Sequence, residues 1–261
     1  MPANRPDLAA KAPRSGPDLV VLDLEDAVPP QEKDAARAGL PEAVAAVSGS
    51  GTPVAVRVNP VGSAWFDDDG RALSTGIAAV VVPKLDSAAA ATRALELGVA
   101  VVAGIETVRG VATAQQWLTS GLAACYFGAE DYVADLGGVR TPGNAEVATA
   151  RALVGMAARL AGVPALDMVT LDFADDDRYL REAAEARALG YAGKLCIHPA
   201  QVALAHEAFT PSAEEVDRAR RLLAAYDEAV AAGRATLAFE GEMVDEVVAK
   251  RARAVLSQAA R

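Results

Sequence analysis

Seven short apolar runs recur along the chain, at residues 19–24, 54–58, 77–82, 99–105, 123–127, 168–171 and 194–197. They are near-continuous rather than alternating, which is how strands buried on both faces read. Stretches of helical pattern lie between most of them, at 87–97, 110–119, 145–160 and 177–189. This alternation predicts a parallel sheet with helices outside it. Gly98, Gly121, Gly162 and Gly190 supply helix stops, each followed within a few residues by the next apolar run. After the last run, Pro211-Ser-Ala-Glu-Glu215 matches an N-cap followed by acids and opens a long amphipathic helix to about residue 232. A short run at 236–240 and a final helix at 245–260 complete the chain. The pattern predicts a (β/α) domain over residues 1–210 and a C-terminal helical extension over 211–261.

A closed barrel and an open doubly wound sheet both fit this alternation, so the polar residues at the strand ends must discriminate. Every run ends in chemistry: Glu25 and Asp26, Arg57 and Asn59, Lys84, Glu106, Glu130 and Asp131, Asp172, then His198. A TIM-type barrel gathers all C-terminal strand ends at one mouth, whereas an open sheet spreads them along a line. The polar ends favour the barrel. No glycine-rich phosphate loop of either common type is present, which argues against nucleotide hydrolysis and dinucleotide redox chemistry.

Composition narrows the picture further. The chain has 261 residues, 52% hydrophobic and only 5% aromatic, which suits helices packed closely on a sheet. A formal charge of −10 argues against a nucleic-acid partner, which needs a basic patch. Cys125 and Cys196 lie in apolar runs without metal-ligand spacing and read as two buried, reduced thiols of a cytoplasmic protein. No stretch approaches the ~20 apolar residues of a membrane span, so no membrane partner is expected.

The candidate chemistry centres on two carboxylates. Val-Val-Ala-Gly-Ile-Glu closes on Glu106, and Ala-Cys-Tyr-Phe-Gly-Ala-Glu-Asp closes on Glu130 and Asp131. Glu106 and Asp131 are hard oxygen donors on adjacent strand ends and leave an octahedral Mg²⁺ positions for water and a chelating substrate. The plainer alternative is that Glu130 and Asp131 only stabilise the N-terminus of the next helix. Arg57 can hold a carboxylate or enolate bidentately, or make a structural ion pair with Glu25 or Asp26. Lys84 admits a Schiff-base reading, which a metal site makes unnecessary. His198 fits either a base or a histidine bonded to backbone, and His206 a surface or packing role.

Taken in order, Leu22-Asp-Leu-Glu-Asp-Ala-Val28, Arg57-Val-Asn59, Val82-Pro-Lys84, Gly104-Ile-Glu-Thr107, Phe127-Gly-Ala-Glu-Asp-Tyr132, Lys194-Leu-Cys-Ile-His-Pro199 and Phe239-Glu-Gly-Glu-Met-Val-Asp245 resemble the citrate lyase β-subunit-like CoA-ester lyases of the HpcH/HpaI aldolase/citrate lyase family. The resemblance runs from about residue 2 to residue 246. It implies a barrel with Mg²⁺ on Glu106 and Asp131, and with Arg57, Lys84 and Glu106 near substrate. Backbone N–H groups of Gly128, Ala129 and Glu130 would meet an α-oxo-acid carboxylate. By likeness to malyl-CoA lyases, Asp245 of a neighbouring subunit would enter the site. That makes Asp245 the first choice for proton transfer, ahead of Glu25, and implies a homo-oligomer such as a trimer.

Two departures qualify the resemblance. Relatives begin with a strand before the segment that resembles Asn4-Arg5, whereas this chain starts at Met1-Pro-Ala and has no such strand. The expectation is therefore a (β/α)₈-type barrel lacking its first strand, through a start placed too late or a barrel that is open. Glu242 also stands where many relatives carry glutamine. The implied activity is cleavage or condensation of a malyl-, citramalyl- or citryl-type CoA thioester, with an acyl-CoA and an α-oxo acid as partners. A metal-dependent aldolase acting on CoA-free acids and a non-catalytic subunit of a larger lyase complex are the rivals.

Overall fold

A computed structural model describes residues 1–119 and 121–260. Seven parallel strands pair in chain order: β1 (Val20–Asp23), β2 (Val54–Arg57), β3 (Ala79–Val82), β4 (Val101–Ile105), β5 (Ala124–Phe127), β6 (Ala165–Asp167) and β7 (Gly193–Lys194). The helices are α1 (Pro6–Ala9), α2 (Lys33–Ser48), α3 (Phe66–Ala72), α4 (Ala88–Leu95), α5 (Val108–Trp117), α6 (Ala129–Leu136), α7 (Ala148–Ala161), α8 (Asp176–Ala188) and α9 (Pro199–Phe209). The sheet curls into an incomplete (β/α) barrel, with β1 and β7 as the terminal strands. The chain divides into compact units Met1–Ala205 and His206–Arg261.

The strands form where the sequence is apolar on both faces: Val54, Ala55 and Val56 are fully buried, as are Val80 and Val82. Each buried valine contributes roughly 1.5–3 kcal/mol of transfer free energy. Inside the curl, Ala55, Ala79, Val81, Val102 and Tyr126 pack into one cluster with Val21 and Leu166. Because side chains alternate along a strand, the residues two positions further on form the next layer toward the C-terminal ends. Short turns then lead into capped helices: Ser87 caps α4 by accepting from Ala90 N–H, and Thr107, directly after Glu106, caps α5 by accepting from Gly110 N–H.

No strand precedes β1 among the described residues. In its place residues 1–3 run beside β1, with Ala3 N–H donating to Asp23 O at 2.9 Å, Asp23 N–H to Met1 O at 2.8 Å, and a parallel bridge from Pro2 to Asp23. A few residues thus cover part of the β1 edge.

Three expectations need correction. The sixth strand is Ala165–Asp167, ahead of the run at 168–171. Asp172 is consequently past the strand end, where its carboxylate accepts from Ala174 N–H. Cys125 is buried as expected, with burial pushing its thiol up to about 12, but Cys196 is exposed because β7 stops at Lys194.

Behind β6 and β7 lies a buried charged network. Arg151 on α7 donates from Nε and Nη2 to both Asp167 oxygens at 3.1 and 3.0 Å. Lys194 Nζ donates to Met168 O at 2.7 Å and lies 3.2 Å from Asp167 and 3.4 Å from Glu182. Glu182 on α8 also accepts from Thr170, Asn144 and Arg178. Burial pushes the Glu182 carboxyl up, but these donors and the Lys194 charge outweigh it and hold it at about 2.

In the second unit, Ser212 and Glu215 make a reciprocal capping box at the start of α10 (Ala213–Ala231). The hairpin β8 (Leu237–Phe239) and β9 (Glu242–Val244) turns through Glu240 and Gly241, at φ of 50° and 85°. The helix α11 (Glu246–Ala259) follows, and Leu222, Tyr226, Val244 and Ala249 form this unit's core.

Candidate active site

Glu106 leaves β4 at its C-terminal end and is 2% exposed. Its Oε1 accepts from the Lys84 backbone N–H at 2.9 Å. Lys84 makes this bond from φ +55°, a left-handed conformation that a non-glycine residue adopts only at some cost. The other Glu106 oxygen crosses the end of β5: a Cβ on Gly128 would lie 2.3 Å from Oε2. Glycine is therefore required there by close approach. Burial raises the Glu106 carboxyl to about 7, and the neighbouring charges of Asp131 and Glu25 add to the rise.

Asp131 sits in the first turn of α6, partly exposed, with Oδ1 3.4 Å from Lys84 Nζ. The same ammonium donates to Glu25 Oε1 at 2.6 Å, so Lys84 spans Glu25 and Asp131. Burial lowers the Lys84 ammonium's proton affinity, but the Glu25 hydrogen bond and charge reverse that and raise it above the ordinary value. An ammonium held between the Glu25 and Asp131 carboxylates is the charged form, whereas a Schiff base needs the neutral amine.

Arg57 ends β2 and is held as a fork. Its Nε and Nη2 donate to Asp23 at 2.7 and 2.6 Å, and Nη1 lies 2.9 Å from Glu25 Oε2 without hydrogen-bond alignment. Asp26 is further away at 3.8 Å. The Asp23 oxygens also accept from Glu25 N–H and Ala27 N–H. Burial pushes the Asp23 carboxyl up, yet Arg57 and these amides outweigh it and keep it below its ordinary value. Glu25, 4% exposed, moves the other way: burial raises its carboxyl more than Arg57 and Lys84 lower it. Behind this group the buried Lys33 donates to Leu24 O and Glu25 O at 2.7 and 2.9 Å and fixes the exit of β1. Asn59 donates to Leu24 O at 3.0 Å and to Asp69.

The first unit thus brings together Glu25, Arg57, Lys84, Glu106 and Asp131. Glu130 turns aside, accepting from Arg140 Nε at 2.8 Å. The Gly128 N–H donates to Ile105 O at 3.1 Å, so Gly128 contributes room rather than a donor, and the first-turn amides of Ala129 and Glu130 remain for a ligand. His198 stacks on Phe173 with ring centroids 4.8 Å apart, and its Nδ1 accepts from Ala200 N–H at 3.3 Å. Asp245 belongs to the second unit, where its Oδ1 caps α11 by accepting from Val247 and Val248 N–H at 2.9 and 3.1 Å. Asp23, the last residue of β1 and two positions before Glu25, is the neighbour that the strand-end rule overlooks.

The donor set suits a hard cation. Glu106 is a buried carboxylate facing a second carboxylate with only one backbone donor of its own, and both offer oxygen ligands of the kind Mg²⁺ takes. Among the described residues no group of three or more His, Cys, Asp and Glu side chains forms a protein-only cage. A cation held here would keep open positions for water and substrate.

The family model for HpcH/HpaI aldolase/citrate lyase matches residues 1–199. The chain belongs to that family. Among its members, the citrate lyase subunit beta-like protein of Deinococcus radiodurans is 47% identical over 99% of this chain and 95% of its own length. The mitochondrial citramalyl-CoA lyase of Mus musculus is 30% identical over 99% of this chain and 84% of its own. The crystal structure of CitE from Mycobacterium tuberculosis, in complex with magnesium, acetoacetate and coenzyme A, superposes with a TM-score of 0.84 at 36% identity, covering 100% of this chain and 96% of that one. The incomplete barrel described above is a member of the same fold.

Proposed function

We propose that the chain is a Mg²⁺-dependent CoA-ester lyase that cleaves or forms the carbon–carbon bond of a β-hydroxyacyl-CoA, with an acyl-CoA and an α-oxo acid on the other side of the reaction. The observation that carries this reading is the pairing of buried Glu106 with Asp131 at a mouth that also holds Arg57, Lys84 and Glu25. Glu106 and Asp131 would hold the metal, which when bound supplies Lewis-acid polarisation of the oxo-acid carbonyl.

This chain's own residues do the rest. The Ala129 and Glu130 amides, at a helix N-terminus, receive the oxo-acid carboxylate. Arg57 has two of its nitrogens fixed on Asp23, and its Nη1 edge faces Glu25 and the mouth. From there it stabilises the negative oxygen of a thioester enolate. Lys84 holds Glu25 and Asp131 apart while keeping Glu106 in place through its backbone.

Two carboxylates compete for proton transfer. Asp245, the first choice, has the resemblance to malyl-CoA lyases behind it and calls for a homo-oligomer that works across subunits. Glu25 has its burial and raised carboxyl behind it. Loss of acyl-CoA α-proton exchange into D₂O in Glu25→Gln or in Asp245→Asn assigns the base. No helix among the described residues is long and apolar enough to cross a membrane, and a cytoplasmic setting belongs to this proposal.

The test of the whole reading is Mg²⁺-dependent release of acetyl-CoA from synthetic malyl-CoA and citramalyl-CoA. Turnover by Glu106→Gln or Asp131→Asn at the wild-type rate contradicts it.

A further inference from the structure

Directly below the metal-ligand layer a tyrosine lies across a neighbouring strand. Tyr126 of β5 is in register with Gly104 of β4, and its ring occupies the space that a Gly104 side chain would fill. A Cβ there would sit 2.5 Å from Tyr126 Oη and 2.7 Å from Cζ. Two residues later, just past the strand ends, the relation reverses: Glu106 after β4 lies over Gly128 after β5. Each strand supplies a glycine where the other supplies a functional side chain.

The Tyr126 residue is buried, packed among Ala55, Val81 and Val102, yet its hydroxyl has no aligned hydrogen-bond partner. Phenylalanine would fill the same space without an unmatched polar atom, so an orphaned hydroxyl at this point asks for a partner. The hydroxyl lies against Gly104, two residues before Glu106 along the same chain segment, and so sits on the side of the sheet from which the Glu106 carboxylate projects over Gly128. A buried tyrosine hydroxyl can donate to a carboxylate, whereas Arg57 has only donors to offer.

We propose that Tyr126 is a positioning residue for Glu106: its hydroxyl donates to the Glu106 carboxylate and fixes the orientation in which that group holds Mg²⁺. The inference rests on the reading of Glu106 as a metal ligand. Partners behind a ligand commonly set metal affinity by 10–100-fold.

The experiment is isothermal titration of full-length wild-type, Tyr126→Phe and Glu106→Gln protein with Mg²⁺ alone, beside thermal melting of each in EDTA. The expected result is a Mg²⁺ Kd weakened about tenfold or more in Tyr126→Phe, with a metal-free melting temperature equal to or above wild type. A merely structural role would lower the melting temperature instead. A folded Tyr126→Phe with wild-type Mg²⁺ affinity overturns the assignment while leaving Glu106 as ligand. Wild-type affinity in Glu106→Gln overturns both. Gly104→Ala, which displaces the ring, should weaken Mg²⁺ binding in the same direction.

Discussion

Glu106 lies folded over Gly128, so closely that a Cβ on Gly128 would be 2.3 Å from Oε2 and 2.6 Å from Glu106 Cβ. The position of Glu106, the proposed metal ligand, is thus set by a missing side chain just past the end of the adjacent strand. Gly128→Ala should push Glu106 off its place. Overpacking of this kind destabilises by about 1–3 kcal/mol, and Mg²⁺ binding should be lost. Titration and melting of the same preparation check both. Retained Mg²⁺ affinity would mean that the carboxylate has room elsewhere.

The fork between Arg57 and Asp23 makes a different prediction. Removing one partner of a fully buried pair costs about 3–5 kcal/mol; Arg57 keeps Glu25 at 2.9 Å and is partly exposed, so Asp23→Asn should lower stability by less than that. Arg57→Lys keeps the charge but cannot hold Asp23 with two nitrogens. Its turnover number should fall by about 10²-fold, the typical loss when one positioned oxyanion donor is removed, and thioester KM should change less. Steady-state kinetics on a CoA thioester decide the matter.

Much of this arrangement is legible in the sequence, because a strand built of apolar residues carries its first charged groups where it leaves the sheet. That rule locates Arg57, Glu106 and Asp131, and the strands before them, to within a few residues. It fails where a charge stays inside with a partner. Asp167 ends β6 fully buried because Arg151 and Lys194 meet it there, so the apolar run just after it looks like the strand. Asp23 escapes notice for the same reason, its charge being matched by an arginine from the next strand. Such pairings join residues far apart in the chain, and no local pattern announces them. The roles of Gly104 and Gly128 are likewise cross-strand facts, visible only once the register is known.

Metal binding should depend on pH through Glu106. A carboxyl raised to about 7 must lose its proton to bind a cation, so Mg²⁺ affinity should climb from pH 6 to pH 8 with proton release on binding. The metal-free protein should show the opposite trend in stability. Between the ordinary 4.5 and about 7 the folded state holds a proton that the unfolded chain gives up, so stability falls as pH rises through that window. Melting in EDTA against pH, compared with Glu106→Gln, tests the sign.

Glu182 predicts acid sensitivity. Its carboxyl is depressed to about 2, so its contribution is complete above 4.5 and disappears as pH falls toward 2. The gap corresponds to ~3 kcal/mol. Glu182→Gln should lose most of that contribution at neutral pH and flatten the acid limb of the unfolding curve. An unchanged limb would assign acid unfolding to other carboxylates.

Lys84 gives the site a resident cation of its own. With its ammonium 2.6 Å from Glu25 and 3.4 Å from Asp131, the acids of the mouth are not left to repel one another when no divalent ion is present. In zinc fingers, by contrast, stripping the metal unfolds the domain. Here chelation should silence the enzyme while leaving a folded, reloadable protein, so that metal supply acts as a reversible throttle on activity rather than a determinant of the protein's lifetime.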